Sequence, residues 1–295
     1  MPETMRPETA GKVPVTECFT LAWRFLRDNL QLLLPAAGLT AALSQVGVVL
    51  VLLLRPADSA QQSMLAMSTW DVIAMLPSMI ASLLFVAVVL RKAIRNEFLA
   101  PTGLAFGADE LRLLGVATAL MCLLLPIGGL FFFVMTGVVL SRLASSPEQL
   151  TILMNDPEAL GAALEAALGP TGVLAFVLFS LLTLAVFLFI SVKLTMVNAA
   201  TIGERRMVIF QTWAWSRGNV WRILGAIILT ALPVFFLDNI LEAVRLVILQ
   251  ALPGVVTLLV VNVAVAFLLA IAGVPSIALG AILYQGLRPK DFAPK

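Results

Sequence analysis

Apolar positions in this chain gather into six long runs separated by short polar stretches. The runs are Leu30–Leu54, Val72–Leu90, Leu113–Leu140, Thr171–Val197, Val220–Leu237 and Gly254–Leu283, each 18 to 30 residues long. A helix rises about 1.5 Å per residue, so about 20 apolar residues match the hydrocarbon core of a bilayer, and longer runs tilt or overhang. The pattern therefore predicts six membrane-spanning helices. Pro126 with Gly128-Gly129 in the third run predicts a kink. The fifth helix is expected to continue through Asp238, Glu242 and Arg245, which share one face.

Shorter periodic segments lie between the runs. From Pro14 to Asn29, Glu17, Thr20, Arg24 and Arg27 recur on one helical face, with Val15, Phe19, Ala22, Trp23 and Leu26 opposite. Such a helix either lies flat in the lipid interface or packs on the bundle's own end. Residues 1–13 are expected to be flexible and 289–295 to form a tail. Ser146-Pro147 and Asp156-Pro157 read as helix starts, so two short helices are expected within Ser141–Pro170, the second ending at Gly169-Pro170.

One local grammar recurs. In Trp213–Gly225 (WAWSRGNVWRILG), Trp213, Trp215, Trp221, Arg217 and Arg222 surround a Gly218-Asn219 turn, where Asn219 is expected to cap the next helix. Trp23, Phe25, Arg27 and Asn29 repeat the spacing of Trp213, Trp215, Arg217 and Asn219, and Asp109–Gly115 lines up with Asn219–Gly225. The expected architecture is thus all-α and polytopic, with three hairpins each preceded by an interfacial or amphipathic element. It forms a single membrane domain over 1–295, with repeat-like units at 14–100, 101–203 and 204–288.

Composition and charge sharpen the picture. The chain is 61% hydrophobic and 12% charged, against about 25% charged for a soluble domain. Sixteen of nineteen Lys and Arg residues fall in the N-terminal, 91–112, 193–222 and C-terminal regions, leaving Arg55, Arg142 and Arg245 for the other face. By the positive-inside rule both termini are cytoplasmic, which points to an inner membrane. No cleavable signal is expected, because the first residues are polar and the first apolar run is too long. Cys18 and Cys122 are placed too differently to pair. With no histidine, the commonest metal ligand and general base are missing.

Candidate chemistry is accordingly sparse, with no catalytic, cofactor or metal residues assigned. Trp23, Arg24, Arg27, Arg91, Lys92, Arg95, Arg205, Arg206, Trp213, Trp215, Arg217, Trp221 and Arg222 form a candidate collar for anionic lipid headgroups, or else simply set topology. Gln45 and Asn262 could line a solute path, or bond across helices as glue. Lys193, near the inner edge, can snorkel. Asp238, Glu242 and Arg245 could bind an ion or headgroup, or form a salt-bridged helix end. Ala272, Ser276 and Gly280 give a small-residue face, serving the bundle or a homo-oligomer. The acidic outer segment 141–170 is a possible protein-docking surface, and nothing calls for nucleic acid.

The sequence WSRGNVWRILG after an apolar hairpin, with LAWRFLRDN and FGADELRLLG before it, resembles a bacterial family related to the membrane domain fused to some glycerophosphodiester phosphodiesterases. That resemblance implies an inner-membrane location and a lipid- or envelope-related role. It does not carry phosphodiesterase activity, because the hydrolase domain and its histidine ligands are absent here. Two readings remain: a non-enzymatic lipid-engaging scaffold, and a carrier or channel for a small or lipid-like solute.

Overall fold

The computed structural model describes residues 12–54, 69–99, 101–143 and 157–289. The expected outer loop after Arg55 and the short helix at Ser146-Pro147 lie outside them. Among the described residues the chain is all-α, without strands, and six helical stretches are long and apolar enough to cross a membrane. Its helices are α1 (Val15–Ser44), α2 (Val46–Leu54), α3 (Thr69–Arg95), α4 (Ala108–Leu143), α5 (Pro157–Leu194), α6 (Val197–Glu204), α7 (Gln211–Trp215), α8 (Val220–Ala251) and α9 (Val255–Leu287). They divide into two compact units, 1–116 with 192–295, and 117–191.

In the first unit, α1 packs chiefly on α9 and also on α3 and α8. The amphipathic N-terminal segment is no separate surface helix. It runs unbroken into the first span as the 30-residue α1, about 45 Å long. Its apolar face is covered, with Cys18, Leu21, Ala22 and Phe25 all buried, so packing on the bundle's own end is what the structure adopts. The first span instead breaks deeper, at Gln45, whose N–H donates to Ala42 O at 3.1 Å. The stretch expected to be flexible is anchored at its end. Val13 is buried, and its N–H donates to Asn219 Oδ1 at 3.1 Å across 206 residues of sequence. Asn219 does stand at the N-cap of α8, but its side chain makes no cap bond; a buried N–H from the other end of the chain takes the oxygen that a cap would use.

Burial is concentrated at one end of this unit. Phe25, Leu90, Met196, Ile202, Ile223 and Leu283 are among the largest fully enclosed side chains. At the opposite end Leu53, Leu252 and Val256 are 75%, 62% and 75% exposed. Such an apolar surface suits lipid, where an aliphatic side chain gains nothing by hiding. The small-residue face of α9 splits accordingly. Gly280 is buried, and a Cβ there would meet Thr195 O at 3.3 Å, whereas Ser276 is exposed.

The second unit holds α4 from Ala117 onward and most of α5. α4 continues through Pro126 as one helix. The expected stop at Gly169-Pro170 is present as a break in α5, where Gly169 takes φ 65° and ψ 174°. Glycine enters that left-handed φ without Cβ strain, and Pro170 restarts the helix with its φ already set. Phe131 and Phe179 stack with ring centroids 5.9 Å apart.

Among the described glycines the least room is at Gly47, between α2 and α3, where an added Cβ would lie 2.1 Å from Ala74 O. Gly47→Ala must therefore move one helix bodily, an overpacking that costs at least about 1–3 kcal/mol. A clear drop in the melting temperature of the purified protein is expected, and an unchanged melt would rule out this contact.

Candidate functional site

The covered end of the first unit is also where most of its ion pairs lie. α3 ends there in Arg91, Lys92 and Arg95, and the turn after it leads into α4. Gly107 stands before the first residue of α4 and Glu110 occupies the third helical position. The Glu110 Oε2 atom accepts the Gly107 N–H at 2.9 Å, the reach-back of a capping box. Its other oxygen pairs with Arg91, and Arg91 Nη2 donates to Gly103 O at 3.0 Å. Both side chains are almost wholly enclosed, at 5% and 1% exposure. Gly103 takes φ 78°, and a Cβ there would strike the Phe98 ring at 2.6 Å. Arg91 is thus an interior residue and leaves the proposed collar: its guanidinium is consumed by one carboxylate and one carbonyl.

Arg95 is likewise engaged. It pairs with Asp109 and, at 2.9 Å, with Glu97, and its Nη1 reaches Ile202 O at 3.4 Å. Arg112 pairs with the same Asp109 at 2.9 Å. Lys92 Nζ donates to Asn96 Oδ1 at 2.7 Å, and exposed Arg205 contacts Glu97 at 3.5 Å. Arg206 is half-buried.

A second buried carboxylate, Glu204 at the end of α6, was not singled out in the sequence. It accepts the Tyr284 hydroxyl at 2.6 Å and pairs with Arg288 at 2.7 Å. Gly203 lets the Tyr284 ring come close, since a Cβ there would lie 2.5 Å from the hydroxyl oxygen. Gln285 Nε2 donates to Ala93 O at 3.2 Å. The three bonds fasten α9 to α6 and α3. The available signal was Glu204 itself, a lone acid between an apolar run and Arg205-Arg206.

The repeated motif is used in two ways. Phe25 and Trp215 are both buried, and Arg27 and Arg217 both exposed. Yet the first copy lies inside the continuous helix α1, whereas the third crosses a turn with Gly218 at φ 78° between α7 and α8. Trp23 is half-buried with its ring 6.2 Å from that of Phe19. Arg24, Arg27, Arg217 and Arg222 are exposed, as are Trp213 and Trp221 at 37% and 82%. Phe106, Met207 and Phe210 add apolar surface, at 66%, 48% and 66% exposure. Among the described residues, Arg24, Arg217 and Arg222 make no ion pair.

The proposed solute-path residues are not joined. Gln45 Nε2 donates to Ser44 Oγ at 3.0 Å, and its buried Oε1 has no partner among the described residues. Asn262 Oδ1 accepts from Arg245 at 3.4 Å, and Arg245 is held by Glu242 at 2.6 Å. The Glu242–Arg245 contact is the salt-bridged arrangement, i to i+3 on α8. Cys18 and Cys122 are free thiols. No group of three metal-ligating side chains occurs among the described residues. No protein-family model, curated protein or solved structure matches the chain.

Removing one member of a buried ion pair strands the other, at a cost of about 3–5 kcal/mol. Glu110→Ala is therefore expected to lower stability by that order, read as loss of folded protein on heating in detergent. The double variant R91M/E110L, which removes both charges but also strands the Gly103 carbonyl and the Gly107 N–H, should recover part of it. Equal loss in single and double variants would refute the pairing.

Proposed function

We propose that the protein is a non-enzymatic, multi-pass scaffold of a bacterial inner membrane, with both termini cytoplasmic, that engages anionic lipid headgroups of the inner leaflet. One observation carries the proposal: the sorting of cations at the covered end. Arg91 and Arg95 are turned inward to carboxylates, while Arg24, Arg217 and Arg222 are exposed without ion pairs among the described residues, at the same end as exposed Trp213 and Trp221. A tryptophan ring with an apolar body and a polar N–H favours headgroup depth, and basic residues there are attracted to a negative leaflet.

The predicted cytoplasmic placement of this end rests on the Lys/Arg distribution, and the six long apolar helices support it by returning the chain to the side from which it started. The family resemblance read in the sequence implies a lipid- or envelope-related role and agrees with this reading. Within this reading the working collar is smaller than the sequence implied, because Arg91 belongs to the interior.

Each exposed basic residue near an anionic leaflet contributes about 1 kcal/mol. The triple variant R24Q/R27Q/R222Q should therefore lose most of its enrichment of phosphatidylglycerol over a zwitterionic lipid, measured as lipid co-purifying with protein from mixed vesicles. Unchanged lipid content would end the proposal. Modification of the Trp213 region by an impermeant reagent applied from outside intact cells would reverse the orientation.

A further inference from the structure

Resting on the lipid-engaging reading, the geometry points to a discrete phosphate-binding subsite formed by Lys193, Trp213 and Arg217, which holds the phosphodiester of one glycerophospholipid. Lys193 lies at the end of α5 and is only 6% exposed. Its ammonium donates to Trp213 O at 3.4 Å and stands 5.6 Å from the centre of the Trp213 ring. The backbone here is pinned from both sides. Thr212 Oγ1 donates to Lys193 O at 3.4 Å, and Ser216 Oγ donates to Trp213 O at 3.0 Å.

Arg217 follows one turn later and is close enough for its charge to act on Lys193. Two like charges gathered at the edge of a low-dielectric region repel, and an anion beside both relieves that repulsion. Four carboxylates of this end are committed elsewhere: Glu97 and Asp109 both hold Arg95, Glu110 holds Arg91 and Glu204 holds Arg288. Arg217 is exposed and makes no ion pair among the described residues. A planar guanidinium offers paired donors that match two phosphate oxygens, and the lysine adds a point charge. The half-exposed Trp213 ring places the pair at headgroup depth, where a phospholipid phosphate is found. An exposed ring beside an almost fully enclosed ammonium distinguishes this spot from Arg24 and Arg222.

The test is native mass spectrometry of the full chain in detergent, titrated with phosphatidylglycerol. Wild type is expected to retain one lipid that resists dilution. Arg217→Gln should weaken that single binding event by at least about tenfold, and Lys193→Met should do likewise. Because Arg217 is exposed, its variant should melt like wild type, which separates lost binding from lost fold. Retention of the lipid by R217Q overturns the subsite, even if the triple collar variant loses its general enrichment. Displacement of the lipid by millimolar inorganic phosphate also overturns it, since the site would then select free anion. Loss in R217Q without loss in the collar triple would leave the subsite standing and the broad collar refuted.

Discussion

The fold of the first unit depends on one buried ion pair, Arg91 with Glu110. The connection between α3 and α4 turns within about a dozen residues and cannot satisfy its own backbone groups by helix or sheet bonding. Arg91 takes the Gly103 carbonyl, Glu110 takes the Gly107 N–H, and the two side chains neutralise each other. A buried polar group left unmade costs more than a made one contributes, so these groups act as a set. With the turn closed, Arg95 and Asp109 are brought together, and through Arg95 the set reaches the Ile202 carbonyl of α6. A single charge pair thereby decides where the starts and ends of several helices meet.

The uneven core follows from the solvent. Hydrophobic burial stabilises contacts where water would otherwise wet the side chain, and does little between helices surrounded by acyl chains. Phe25, Leu90 and Leu283 are enclosed at the end rich in charges, while Leu53 and Val256 are left bare at the other. That asymmetry is expected if the charged end projects into the headgroups and the aqueous side. There the chain needs an ordinary packed interior, with its polar groups paired inside it.

The six apolar runs and the Gly169-Pro170 break were legible because each depends on local chemistry: run length, and the φ preferences of glycine and proline. What escaped was long-range. An arginine at the edge of an apolar run reads as a headgroup cation, and its partner Glu110 lies nineteen residues onward across a turn. Glu110 did carry a readable signal, three residues past Gly107 at a helix start, but that signal names a cap and not the arginine. Asn219 was read as a cap from the residues next to it, whereas its oxygen serves Val13 from the far end of the chain. The amphipathic face of α1 did not distinguish lipid from protein as its cover, because both accept the same apolar stripe. Arg24, Arg217 and Arg222 were legible as exposed basic residues, and none of them forms an ion pair among the described residues.

The chain contains a single tyrosine, and Tyr284 is the one placed on Glu204 where α9 meets α6. Any chemical or spectroscopic method selective for phenols therefore reports on one junction alone, with no background from elsewhere in the molecule. Loosening of α9 from its neighbours, by a lipid or by detergent, would uncover that ring, so this protein carries a native gauge of how firmly its charged end is closed.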